Sequence, residues 1–192
     1  IMAWRLLRRG RRLPGLHRSL SAAPPRAWLD EAREWATLDP NPSTRAEVET
    51  LVAAGDVNAL ARRFRSRIAF GTAGLRAEMG SGPSMMNDLT VIQATQGLLR
   101  YLEEVHGTAA VREAGVVVGH DHRQSGGYAG TLSSERFAQL TAAVFVGAGV
   151  PVHYHTQLVA TPLVPFGVDH LKCVAGVMVT ASHNPGKDNG YK

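Results

Sequence analysis

Downstream of residue 68 the chain repeats one pattern: a short apolar run closed by glycine or polar residues, then a stretch with helical period. Val116-Val117-Val118 and Cys173–Val179 are apolar at consecutive positions, so neither side of such a strand can face water. Strands of that kind need helices on both faces of their sheet, and the intervening stretches supply them. Asp88 can cap a helix whose inward face is Leu89, Ile92, Gln96, Leu99 and Leu102. Ser133 or Ser134 opens another, carrying Phe137, Leu140, Val144 and Phe145 and closing at Gly147 and Gly149; Pro162–Leu171 reads as a third. Ile68–Arg76, with Gly71 and Gly74, reads as a strand plus turn, and Val152–His155 as a further strand. The expectation is a three-layer α/β/α domain over residues 67–192 with a mainly parallel mixed sheet. A chain of 192 residues is long enough to bury one such core.

Two segments precede it. Residues 27–66 read as a helical lead-in: Trp28–Leu38 is a short helix that ends before Asp39-Pro40-Asn41-Pro42. Ser43 or Thr44 then offers a cap, Glu47 completing a capping box with Thr44, and the stripe Val48, Leu51, Val52 continues past Gly55 into Leu60 and Phe64. Residues 1–26 read as a disordered basic arm with seven Arg and no acid. The formal charge of +5 belongs to that arm, since the remainder holds 14 Lys and Arg against 16 Asp and Glu. The body is mildly acidic, so no nucleic-acid partner is expected of it. The arm has the composition of an organelle transit peptide, which sets a mitochondrial destination against the cytoplasmic one otherwise expected. A bare extension, or an arm that touches nucleic acid or a lipid surface, are the other readings. One Cys excludes a disulfide scaffold and a multi-Cys metal site. No apolar run approaches the roughly 20 residues of a membrane span, so no membrane partner is expected.

Ligands of open α/β sheets sit outside the carboxyl ends of the strands. Three polar clusters fall at such ends: Phe70–Arg76, His120–Arg123 and Thr180–Lys192. The third gathers Ser182, His183, Asn184, two Lys and the backbone freedom of Gly186 and Gly190 behind a dry strand. Such a loop suits phosphate, because a serine can carry the group while cations and backbone N–H groups stabilise the developing charge. Composition and position alone are matched by an ordinary turn, whose residue types these also are.

Thr180-Ala-Ser-His-Asn-Pro185 resembles the phosphoserine loop of the α-D-phosphohexomutases. Phe70-Gly-Thr-Ala-Gly-Leu-Arg76 is similar to that family's opening signature, Asp121-His-Arg123 to its Asp-x-Arg turn, and Thr161-Pro162 to a Thr-Pro in the same relative place. Asn87-Asp-Leu-Thr-Val-Ile-Gln93 with Thr95-Gln96-Gly97 looks most like the phosphoglucomutase-2/phosphopentomutase branch. The resemblance runs through residues 28–192. It implies the first α/β/α domain of a phosphosugar mutase that interconverts hexose or pentose 1-phosphates with their 6- or 5-phosphates. It implies that Ser182 bears the phosphoryl group and supplies Mg²⁺ with one oxygen through that phosphate. His183 then donates to phosphate or assists proton transfer, Lys192 does acid/base work or neutralises charge, and Arg76 reaches the reacting phosphate. Asn184 lies in the same phosphate-binding loop, and Arg123 supports the site through Asp121. Sugar phosphates are the implied partners, glucose 1,6-bisphosphate the implied activator, and a monomer the implied state of the parent protein.

The family's enzymes have four domains, and no Asp-x-Asp-x-Asp metal loop occurs here. The chain is therefore expected to be an inactive N-terminal piece, truncated at its catalytic loop and prone to associate through uncovered apolar surface. Rival readings are a non-catalytic phosphate-binding or interaction domain, and a serine hydrolase, for which no Gly-x-Ser-x-Gly elbow is present. Bland alternatives for single residues are a surface ion pair of Arg76 with Glu78 or Asp88, a frayed Lys192, and solvent-facing or packed roles for His120, His122, His153 and His155. Cys173 reads as core.

Overall fold

In the computed structural model, which describes residues 25–128 and 130–192, the alternation of apolar runs becomes a six-stranded sheet between helices. The lead-in forms three helices: α1 (Pro25–Leu38), α2 (Pro42–Ala54) and α3 (Val57–Phe64). A hairpin follows, β1 (Phe70–Gly71) and β2 (Gly74–Glu78), then α4 (Asp88–His106) and α5 (Thr108–Ala114). The remainder is β3 (Val116–His120), α6 (Ser134–Gly147), β4 (Val152–Tyr154), α7 (Leu163–Leu171), β5 (Ala175–Val179) and β6 (Asp188–Tyr191). The sheet order is β1-β2-β6-β5-β3-β4.

Strand β3 shows why the layers form. Val116 and Val118 pack with Val91 and Leu99 of α4 and Phe137 and Phe145 of α6, while Val117 packs on the opposite face with Val164 of α7 and with Cys173 and Met178. Phe137 and Phe145 are completely buried, and each contributes about 1.5–3 kcal/mol by leaving water. The lead-in has its own core of Trp35, Val48, Leu60 and Phe64, which meets the α/β body at Leu89. Among the described residues no helix is long and apolar enough to cross a membrane.

The structure corrects several local expectations. The sheet is mixed, but less parallel than the alternation implies. Strands β4, β3 and β5 are parallel, whereas β6 pairs antiparallel with both β5 and β2, and β2 with β1. The reason is β6, four residues inside the stretch read as loop, whose Asp-Asn-Gly-Tyr composition carries no strand signal. Helix α1 starts at Pro25, inside the segment assigned to the arm; residues 1–24 lie outside the described residues. Asn41, not Ser43 or Thr44, caps α2, because Pro42 is preset for the first helical position and starts the helix two residues before a Ser43 cap would. Thr44 instead donates to the Asp39 carboxylate, and Glu47 points away from the cap. Asn87, not Asp88, caps α4: its side-chain oxygen accepts from the Thr90 N–H at 2.9 Å while its amide donates to the Gly80 and Gly82 carbonyls. The buried positions of α4 include Leu89, Val91, Thr95, Leu99 and Leu102, leaving Gln96 exposed. Helix α5, seven residues set between Gly107 and Gly115, was not expected at all.

Candidate active site

Strand β5 delivers Thr180 to the edge of the sheet, and β6 brings the chain back beside it, with the Thr180 N–H donating to the Gly190 carbonyl at 3.0 Å. Gly190 is required there, since a Cβ would sit 2.6 Å from the Thr180 oxygen and 2.8 Å from the Leu75 oxygen. Between the two strands the loop lifts Ser182 and His183 into solvent. Ser182 has φ 58°, a left-handed conformation that L-residues other than Asn and Asp seldom adopt. Its N–H donates to Thr180 Oγ1 at 3.0 Å.

Lys192 is not frayed. Its main chain exchanges both hydrogen bonds with Met178, at 2.9 and 3.1 Å, and its Nζ donates to Ser182 Oγ at 3.0 Å. Partial burial holds the Lys192 pKa below the usual lysine value, and the neighbouring Arg76 and Arg123 charges push the same way against the opposing pull of Asp121. Lys192 is therefore easier to deprotonate than a surface lysine while touching the serine oxygen.

Arg123 holds the loop. One guanidinium nitrogen donates to the carbonyls of Pro185 and Asp188 at 2.8 and 3.0 Å, another to those of Ser182 and Asn184 at 2.7 and 3.0 Å. Its Nε pairs with Asp121 at 3.1 Å. Four carbonyls gathered on one planar fork is a task a lysine cannot perform. The Asp121 carboxylate also accepts from Thr180 Oγ1, from Ser134 Oγ and from the Arg123 N–H. Burial alone would raise its pKa, but these donors and the Arg123 charge outweigh it and hold the group below the ordinary aspartate range.

Arg76 Nη1 donates to Asn184 Oδ1 at 3.2 Å, and Asn184 Nδ2 to Asp188 at 3.0 Å. The ion pairs weighed for Arg76 go elsewhere, Glu78 to Lys187 and Asp88 to Arg136. Arg76, Arg123, Ser182, Asn184 and Lys192 are thus joined in one hydrogen-bonded constellation. His183 is adjacent in sequence, but its exposed ring makes no side-chain hydrogen bond among the described residues. Lys192, rather than an imidazole, touches the serine oxygen, so the Ser-His-acid triad is not formed among the described residues.

Sequence reasoning missed Ser134, Thr180 and Asn189 as site residues. Asn189 is fully buried, donates to Ser134 Oγ at 3.0 Å and accepts from the Gly190 N–H. Ser134 read only as a helix start, and nothing local distinguishes that role from service to Asp121. Among the described residues no group of three or more His, Cys, Asp or Glu able to hold a metal occurs. Cys173 is buried and free, as expected.

Residues 67–192 match the family described as phosphoglucomutase/phosphomannomutase, alpha/beta/alpha domain I. The chain belongs to this family. It is 49% identical over 165 residues to a phosphopentomutase of Mus musculus, covering 84% of this chain and 26% of that protein. It is 50% identical over 161 residues to a phosphoribomutase of Saccharomyces cerevisiae, covering 82% and 24%. A glucose 1,6-bisphosphate synthase of Mus musculus is 47% identical over 159 residues, covering 83% and 25%. The chain thus spans about a quarter of the length of the curated relatives it matches. Among solved structures, one from Thermus thermophilus carrying a phosphomannomutase designation shares the fold with a TM-score of 0.53 and 32% identity, over 66% of this chain and 25% of that one.

Proposed function

We propose that this chain is the phosphoserine-bearing part of a phosphosugar mutase acting on hexose or pentose monophosphates. The observation that carries the reading is the 3.0 Å contact of Lys192 Nζ with Ser182 Oγ in a loop whose carbonyls Arg123 fixes. Relatives named for pentose phosphate isomerisation and for glucose 1,6-bisphosphate synthesis support it.

In this reading Ser182 carries a phosphoryl group at rest. A sugar hydroxyl attacks the phosphorus and gives its proton to solvent, the bond to Ser182 Oγ breaks, and the released oxygen takes a proton from Lys192. In the reverse direction Lys192, with its lowered pKa, receives that proton as Ser182 Oγ attacks a sugar bisphosphate. Arg76, already turned toward the loop by Asn184, offers a bidentate fork to the phosphoryl oxygens. His183, exposed beside Ser182, is positioned for substrate rather than for structure.

Among the described residues the cations Lys192, Arg76 and Arg123 stand about Ser182, the nearby Asp121 carboxylate is taken up by Arg123, Ser134 and Thr180, and no three-residue metal cluster occurs. Mg²⁺ therefore fits only through the phosphate on Ser182, a hard oxygen ligand whose other partners are not these side chains. The residues as they stand do not build that site, and no step above uses it.

The test is isomerisation of glucose 1-phosphate and ribose 1-phosphate by the longest natural polypeptide containing this chain, primed with glucose 1,6-bisphosphate. Loss of turnover in Ser182→Ala is expected, and turnover retained without the hydroxyl would reject the reading. A non-catalytic phosphate-binding domain is the second reading. It predicts binding of the sugar phosphate with no transfer to Ser182.

A further inference from the structure

The loop joining β3 to α6, residues 121–133, starts with the Asp121–Arg123 pair and is fastened to the lead-in helices further on. Tyr128 Oη donates to Glu47 Oε2 of α2 at 2.5 Å. The other Glu47 oxygen accepts from Arg63 of α3 at 2.5 Å, and Arg63 Nε donates to Ser81 Oγ at 3.1 Å. Asn41, the cap of α2, donates to the Thr131 carbonyl at 3.3 Å and to the buried Asp88 carboxylate at 3.3 Å. The lead-in thus holds this loop by directional polar bonds at two residues, although its apolar core is separate from the one under the sheet.

The loop transmits position to its base. The Ser134 N–H donates to the Arg123 carbonyl at 2.8 Å, Ser125 to Leu132 at 2.9 Å, and Thr131 to Tyr128 at 2.8 Å, so its two limbs are tied together. A displaced tip therefore moves Arg123, whose guanidinium gathers the Ser182, Asn184, Pro185 and Asp188 carbonyls. Tyr128 is half-buried against the main core. Burial and the Glu47 carboxylate push its pKa up to about 12, which keeps the proton on the phenol and the bond pointed at Glu47. Asn41, Glu47 and Arg63 all lie outside residues 67–192, where the family match falls.

We infer that the helical lead-in is part of the site's scaffold: Glu47 and Asn41 are positioning residues that, through Tyr128 and Thr131, fix where Arg123 holds the Ser182 loop. The consequence for catalysis rests on Ser182 being the phosphoryl carrier. The consequence for geometry does not.

The experiment uses the full 192-residue chain and the longest natural polypeptide containing it, each with Tyr128→Phe and, as a second route to the same bond, Glu47→Gln. Glu49→Gln, on the exposed side of α2, is the control. In the 192-residue chain, NMR follows the Arg123 Nε–Hε and Ser182 amide signals. In the longer protein, intact mass follows phosphorylation from glucose 1,6-bisphosphate. The expected result is displaced Arg123 and Ser182 signals in both folded variants, unmoved in the control, with the phosphorylation rate down about tenfold and the half-saturating bisphosphate concentration unchanged. Arg123 and Ser182 signals identical to wild type in folded Tyr128→Phe, or in a Glu47→Gln protein whose Tyr128 signals show the bond lost, would overturn the inference. If wild type itself is never phosphorylated, the phosphosugar mutase reading falls while the NMR comparison still decides the positioning role. Where Tyr128→Phe fails to fold, Glu47→Gln decides it alone.

Discussion

Ser182 sits at φ 58°, and that strain has a measurable size. An L-residue in the left-handed region costs roughly 1–2 kcal/mol relative to the right-handed one. Glycine escapes that cost but gives back about 0.4–1 kcal/mol through the larger freedom of its unfolded chain. Ser182→Gly should therefore be more stable than Ser182→Ala by about 0.5–1 kcal/mol, although both lose the hydroxyl and its contact with Lys192. For a domain of this size the difference is about 1–4 °C in Tm. Lys172, the C-cap of α7 with the same φ of 58°, lies outside the constellation and supplies the internal reference. Lys172→Gly against Lys172→Ala should show a gap of similar size. The assay is calorimetry on the four variants in parallel. If Ser182→Ala equals or exceeds Ser182→Gly while the Lys172 pair behaves as stated, the loop does not hold Ser182 under backbone strain.

Three further outcomes follow from the same geometry. Arg123→Met leaves four carbonyls without their shared fork and Asp121 without its paired charge, and should cost about 3 kcal/mol in urea denaturation. Gly190→Ala should lose about 3 kcal/mol and open β6 to amide exchange, because the added carbon meets two backbone oxygens closer than 3 Å. Burial raises the pKa values of Asp39 and Asp88, so the folded state takes up protons first and stability should rise as pH falls from neutrality toward the ordinary carboxylate range near about 4. Asp121 and Glu47 titrate below that range, so their contribution is complete above it and lost as pH falls further. Urea midpoints should peak on the acid side of neutrality, and Asp88→Asn should flatten the rise; a monotonic fall from neutral pH would contradict this.

The parallel half of the sheet was legible because strands buried on both faces must be written in consecutive apolar residues, as at Val116–Val118. Strand β6 was not, because Asp188-Asn189-Gly190-Tyr191 is selected by other demands. Asn189 serves Ser134, Gly190 allows close backbone approach, and Tyr191 fills the core. The helix caps slipped by one to three residues where a proline or a second hydrogen-bonding duty outranked the local pattern, as at Asn41 and Asn87. Ser182, Asn184, Arg76 and Lys192 were legible through the motifs that carry them. Arg123 was underestimated, since its value lies in four carbonyls some 60 positions away, which no local spacing records. The polar ties from Glu47 and Asn41 are equally silent in sequence, since a helix-surface glutamate and a capping asparagine have ordinary uses.

The most direct measurement is the intact mass, with site mapping, of the longest natural polypeptide containing this chain after exposure to glucose 1,6-bisphosphate. A gain of one phosphoryl group on Ser182, absent in Ser182→Ala and slowed in Lys192→Met, is the predicted result. An unmodified Ser182, or the phosphate on another residue, would contradict the account.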